Sequence, residues 1–231
     1  MRYQNVTPAV FVARPNRFIA HVEINGARET VHVKNTGRCR ELLVPGCTVY
    51  VSRSDNPTRK TKYDLIAVRK ERAGRESLLI NMDSQIPNAA ALEWLRNSGL
   101  FSPSAVFRRE ITYKDSRFDI YVEDGERRSF IEVKGVTLED SGVAMFPDAP
   151  TARGVKHLNG LAGCVQDGFE AYVLFVIQMK GVFVFRPHDA MDPEFGDALR
   201  RAAAAGVKVL AMDCRITPDT ITIDSPVKVR L

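Results

Sequence analysis

Residues 117–135 read Arg117-Phe118-Asp119-Ile120-Tyr121-Val122-Glu123-Asp124-Gly125-Glu126-Arg127-Arg128-Ser129-Phe130-Ile131-Glu132-Val133-Lys134-Gly135. Two alternating segments flank Asp124-Gly125, the composition of a hairpin turn. Side chains alternate along a strand, so Phe118, Ile120 and Val122 share one face and Ile131 and Val133 share one face of the partner. Burying both apolar sets together pairs even positions of the first strand with odd positions of the second. That parity also brings Asp119 to the side of Glu132 and Lys134, and a slip of one residue would bury the charges.

Two carboxylates and a lysine on one sheet face suit hydrolysis of a phosphodiester. Asp119 and Glu132 offer hard oxygen ligands for Mg²⁺ or Mn²⁺ and leave positions for water and phosphate. Lys134 is a compact cation able to orient water or balance charge on a phosphoryl oxygen. Glu110, on the preceding strand, is a candidate third acid. A salt-bridged exposed face accommodates the same residues without chemistry.

Downstream, Phe146-Pro147-Asp148-Ala149-Pro150-Thr151 leads into a helix over about 151–166, with Thr151 as its cap. Arg153, Lys156 and His157 stand at i, i+3 and i+4, a basic face opposite Val155, Leu158 and Ala162 that could grip a phosphate. A solvated helix face has the same spacing. Strands are expected at Val106–Tyr113, Phe118–Val122, Phe130–Val136, Ala171–Ile177 and Val207–Met212, with a further helix at Glu194–Ala205. This is an α/β domain on a mixed sheet, opened by a helix over Pro87–Gly99.

Upstream, residues 1–86 are β throughout. Val10–Ala13 and Phe18–Ile24 flank a turn at Arg14–Arg17, and Glu29–Lys34, Cys47–Val51, Tyr63–Arg69 and Leu78–Ile80 follow. No helix longer than Arg40–Leu43 interrupts them. A small barrel fits, OB-type or SH3-like. The expected domains are therefore 1–86 and 87–231, an α+β architecture.

The chain has 231 residues and a net charge of +5, unevenly placed: residues 1–86 hold 15 Lys/Arg against 8 Asp/Glu, and the remainder 18 against 20. A basic first domain suits a polyanion. Arg14 and Arg17 at the first hairpin tip, and Arg38 and Arg40 on the glycine-containing loop after Lys34, are candidate phosphate contacts, although each cluster also reads as ordinary soluble surface. Cys39, Cys47, Cys164 and Cys214 show neither zinc-site nor Cys-x-x-Cys spacing and are expected as reduced thiols. No apolar run approaches the ~20 residues of a membrane span, and Met1–Ala13 lacks the zones of a signal peptide. A cytoplasmic protein is expected.

With these strings in hand, the chain resembles the sugar fermentation stimulation protein family. The matching residues are Asn35-Thr36-Gly37-Arg38, Glu41-Leu42-Leu43-Val44-Pro45-Gly46, Arg117-Phe118-Asp119, Ile131–Leu138, Phe146–Thr151, Arg153-Gly154 and Lys156-His157-Leu158. The similarity covers nearly the whole length; it departs after Gln178, where Met179 replaces a basic residue. The resemblance implies an OB-like DNA-binding first domain and a second domain similar to PD-(D/E)xK nucleases, with Asp119, Glu132 and Lys134 on that pattern. It also implies a link to regulation of sugar (maltose) utilisation. Three readings stand: a Mg²⁺-dependent nuclease acting on DNA, a DNA-binding regulator whose nuclease-like domain is idle, and a protein–protein scaffold. The first two share DNA bound non-specifically as partner.

Overall fold

A computed structural model describes all residues except 36 and 38. Six strands, β1 (Val6–Asn16), β2 (Ile19–Ile24), β3 (Ala27–Val33), β4 (Thr48–Arg53), β5 (Tyr63–Arg72) and β6 (Arg75–Asn81), form the first unit. Antiparallel pairing runs β3-β2-β1-β4-β5-β6, and a short parallel pairing of β3 with β5 at His32↔Asp64 and Val33↔Leu65 closes a five-strand barrel. This is the OB topology rather than the SH3-like alternative. Alternation supplies its interior: Ala20 and Val22 on β2, Val31 and Val33 on β3, Val49 and Val51 on β4 are all fully buried. The segment Arg40–Leu43 is only a turn, in which the Leu42 and Leu43 N–H groups both donate to the Cys39 carbonyl.

The second unit is a six-stranded mixed sheet ordered β15-β14-β12-β9-β8-β7, comprising β7 (Val106–Tyr113), β8 (Ser116–Asp124), β9 (Arg127–Val136), β12 (Glu170–Ile177), β14 (Lys208–Thr217) and β15 (Thr220–Pro226). Strand β12 lies parallel to both β9 and β14. Its run Ala171–Ile177 is buried at every position, as a central strand covered on both faces requires. Helix α1 (Ile86–Asn97) covers one face, where Ala90, Ala91 and Leu95 meet Ile120, Val122, Ile131 and Val133. Helices α2 (Ala152–Gln166) and α3 (Pro193–Ala204) cover the other with Val155, Leu158, Leu161, Phe195 and Leu199. Thr151 Oγ1 accepts the Gly154 N–H at 3.0 Å, a cap worth about 1 kcal/mol. Asp192 caps α3 through Phe195 and also accepts the Thr151 N–H at 2.8 Å, so one carboxylate fixes both helix starts.

Sequence reasoning misses a small sheet of β10 (Leu138–Asp140), β11 (Val143–Phe146), β13 (Val184–Pro187) and β16 (Lys228–Val229), whose strands are too short to alternate visibly. It also misses β15. Residues 1–3, expected in the barrel, instead run along β15, with the Tyr3 N–H on the Asp219 carbonyl and the Ile221 N–H on the Met1 carbonyl. The two units share one apolar cluster, from Phe11 and Leu65 through Met82 to Phe175 and Met179. Met179, where the family resemblance predicts a basic residue, is fully buried in that core. Among the described residues no disulfide forms, and no helix is long and apolar enough to cross a membrane.

Candidate active site

The β8–β9 ladder follows the expected parity, Ile120↔Ile131 and Val122↔Ser129. It stops at Ile120, and there the alternation fails. Phe118 packs on the α2 side, 5.3 Å from the Phe130 ring, whereas Ile120 packs on the α1 side. Asp119 thus sits where the two strands part, and its carboxylate takes the place of a strand partner. Oδ2 accepts the Val133 N–H at 2.8 Å, and Oδ1 accepts Asn88 Nδ2 of α1 at 2.7 Å.

Glu132 is buried on the α2 side. Its Oε1 accepts Lys134 Nζ at 2.6 Å and also the Nδ1 of the buried His157. Arg153 Nε approaches His157 Nε2 at 3.4 Å. The Glu132 carboxylate only accepts, so His157 Nδ1 donates to it. Glu132 Oε2 is buried with no hydrogen-bond partner among the described residues. A carboxylate oxygen without a donor is costly to bury, and this one is what a cation would satisfy.

The two acids are driven apart in pKa. Burial and then the charge of Glu132 push Asp119 up. Burial opposes the Glu132 charge too, but the His157 hydrogen bond and the Lys134 ammonium outweigh it and hold Glu132 below the usual carboxylate range. Among the described residues, no group of three or more His, Cys, Asp or Glu has metal-binding geometry. The protein would therefore offer a hard cation two carboxylates, a donor set suited to Mg²⁺, which keeps its other positions for water and phosphate.

The other candidates divide. Glu110 is exposed and paired with Arg117, and no contact joins it to the buried acids. The expected basic face of α2 splits, because His157 turns inward and Lys156 points to the surface groove beside Tyr113–Ser116. In the barrel, Arg14, Arg17 and Arg40 line one cleft of about 390 Å³ with Asn16, Gly37, Cys39 and Leu43. Arg14 spends much of its guanidinium on the carbonyls of Arg17, Asn35 and Gly37, which ties the hairpin tip to the loop. Arg38 lies outside the described residues.

That loop abuts the second unit. A Cβ on Gly37 would stand 2.1 Å from Asp148 Oδ2, so a larger residue at 37 would displace the Asp148 carboxyl. Burial raises the Asp148 pKa against the pull of Arg14.

Two residues that hold the site were not among the expected site residues. Asn88 is one. The other is Gln178, whose Nε2 donates to the Asn81 and Asp83 carbonyls and whose Oε1 would lie 2.6 Å from a Cβ on Gly135. It joins the linker after the barrel to the strand that carries Glu132 and Lys134.

With this geometry in place, comparison with known proteins is direct. The family profiles described as the sugar fermentation stimulation protein RE domain and the SfsA N-terminal OB domain match residues 85–220 and 12–79. A sugar fermentation stimulation protein homolog from Ruminiclostridium cellulolyticum is 53% identical over 231 residues, covering 100% of both chains. One from Desulfitobacterium hafniense is 54% identical over 100% of this chain and 99% of its own. A solved structure of SfsA from Pyrococcus furiosus in complex with Ca²⁺ superposes with a TM-score of 0.87 at 27% identity, over 100% of this chain and 98% of that one.

Proposed function

The chain belongs to the sugar fermentation stimulation protein family, and from that premise we propose that it is a cytoplasmic, divalent-cation-dependent nuclease of the PD-(D/E)xK type whose OB domain holds DNA. The observation that carries this reading is Glu132 Oε2, a buried carboxylate oxygen with no donor, one strand away from Asp119. The Ca²⁺ bound by the Pyrococcus furiosus relative supports divalent-ion binding; these acids are its proposed seat, and Mg²⁺ or Mn²⁺ the proposed working ion.

Asp119 and Glu132 would hold the ion. When bound, it supplies Lewis-acid charge to a phosphoryl oxygen and lowers the pKa of coordinated water. Asn88 and the Val133 N–H keep Asp119 fixed, and His157, backed by Arg153, keeps Glu132 turned so that Oε2 stays available. Lys134, tied to Glu132 Oε1, stands ready to orient water or to neutralise charge growing on the phosphate. The excess of Lys/Arg in residues 1–86, with Arg17 and Arg40 in one cleft, supplies the grip on the phosphate backbone.

The test is incubation of purified protein with DNA and RNA, single- and double-stranded, with Mg²⁺ or Mn²⁺ and a Glu132→Gln control. Cation-dependent cleavage lost in the variant is expected. Cation binding without cleavage of any substrate would instead favour a DNA-binding regulator, consistent with a family named for sugar fermentation. DNA affinity should fall steeply with salt, and Arg40→Ala should weaken unrelated sequences equally and reduce the salt slope by about 1. An affinity indifferent to salt would remove the phosphate-gripping role.

A further inference from the structure

The tip of the β1–β2 hairpin carries a residue the fold does not need. Asn16 pairs with Ile19, so Arg17 and Phe18 are the two residues that turn the chain. Such positions ordinarily take Gly, Asn or Asp, whose backbone freedom or short polar side chains favour the turn. Phe18 meets neither need, and it is 45% exposed. Its backbone is nevertheless held from both sides. Asn16 Oδ1 accepts the Phe18 and Ile19 N–H groups at 2.9 and 3.1 Å, and the Phe18 carbonyl accepts the Val33 N–H at 2.7 Å. The ring is thus an exposed aromatic on a fixed mount.

Its surroundings are cationic. The Arg17 guanidinium lies 4.8 Å from the ring centroid. The cleft at the same tip takes its charge from Arg14, Arg17 and Arg40, with the half-buried Asp148 carboxyl behind it against Gly37. An exposed aromatic stacked on an arginine of the adjacent cleft combines the two groups that bind unpaired nucleotides, a π-face for a base and cations for its phosphate. A duplex hides its base faces within the stack; a single strand presents them.

We propose that Phe18 stacks an unpaired base, which makes single-stranded or locally opened nucleic acid the preferred ligand of the OB domain. This rests on the reading of that domain as nucleic-acid-binding. The experiment is fluorescence anisotropy of the full-length protein with labelled oligothymidylate, an abasic oligonucleotide of equal length and a blunt duplex. Phe18→Ala should bind oligothymidylate about tenfold more weakly, the weight of one stacked base, with the abasic strand and the duplex unchanged. Phe18→Trp should restore binding, and oligothymidylate should quench its emission over that of Trp94. Loss on all three ligands would make Phe18 a mere support for the tip, and loss on none would remove it from binding; either overturns the proposal. Arg40→Ala reads the parent hypothesis separately. If it weakens all three ligands while Phe18→Ala weakens none, stacking alone fails; if no ligand binds the wild type, both readings fall.

Discussion

Asp119→Asn should abolish divalent-cation binding and lower any cleavage about a thousandfold, while making the cation-free protein more stable. The two effects share one cause. Asp119 is pushed up by burial and by the charge of Glu132, so its ionised form is disfavoured in the fold. A carboxyl whose folded pKa exceeds its unfolded one binds more protons when folded, and stability falls as pH rises from the unfolded value through the folded one. Asparagine removes that penalty and keeps one acceptor for Val133 and a group to meet a flipped Asn88 amide. At neutral pH the cation-free variant should therefore melt at a higher temperature than the wild type. Wild type and variant should converge below the unfolded Asp range. Glu132 has the opposite sign. Its depressed pKa contributes stability above the unfolded value that is lost as pH falls, so Glu132→Gln should lower the melting temperature at neutral pH. Thermal-shift titration with MnCl₂ checks both. A cation-induced rise surviving in Asp119→Asn would remove Asp119 from the site.

Lys70→Met should cost about 3–5 kcal/mol, although it lies remote from the acids. Lys70 of the barrel donates to the Glu139 carbonyl at 2.6 Å and to its Oε2 at 2.7 Å, and Glu139 is buried in the second unit with Oε1 on the Gly142 N–H. Methionine keeps the stem packed but strands the carboxylate without its cation. The melting temperature should drop by about 10 °C. Adding Glu139→Gln should recover much of the loss, because a neutral amide is cheaper to bury than an unpaired charge. An unchanged melting temperature in the single variant would show that the pair does not join the units.

Much of this molecule is legible in one dimension. Alternation in residues 1–86 imposes a barrel, because Val22, Val31, Val33 and Val49 leave only one face per strand to bury. The unbroken run Ala171–Ile177 imposes a central strand with helices on both faces. Even-with-odd pairing of β8 and β9 follows from Ile120, Val122 and Ile131 alone. Buried apolar area dominates the free energy and has a period, so it can be read locally.

The tertiary structure decided the site. Periodicity places Asp119 on a face, but its seat is the point where β8 leaves β9, set by Asn88 from 31 residues away and by a single backbone N–H. The α2 spacing offers His157 and Lys156 as equals, and only the packed helix turns one onto Glu132 and the other to solvent. The side chains of Gln178 and Asp148 lie where a Cβ at residues 135 and 37 would stand, contacts that no local pattern announces. Hydrogen bonds and charge pairs are short-ranged and directional, and their partners here are separated by tens of residues. Such contacts have no period in the sequence, and they exist only once the hydrophobic layers have brought their ends together.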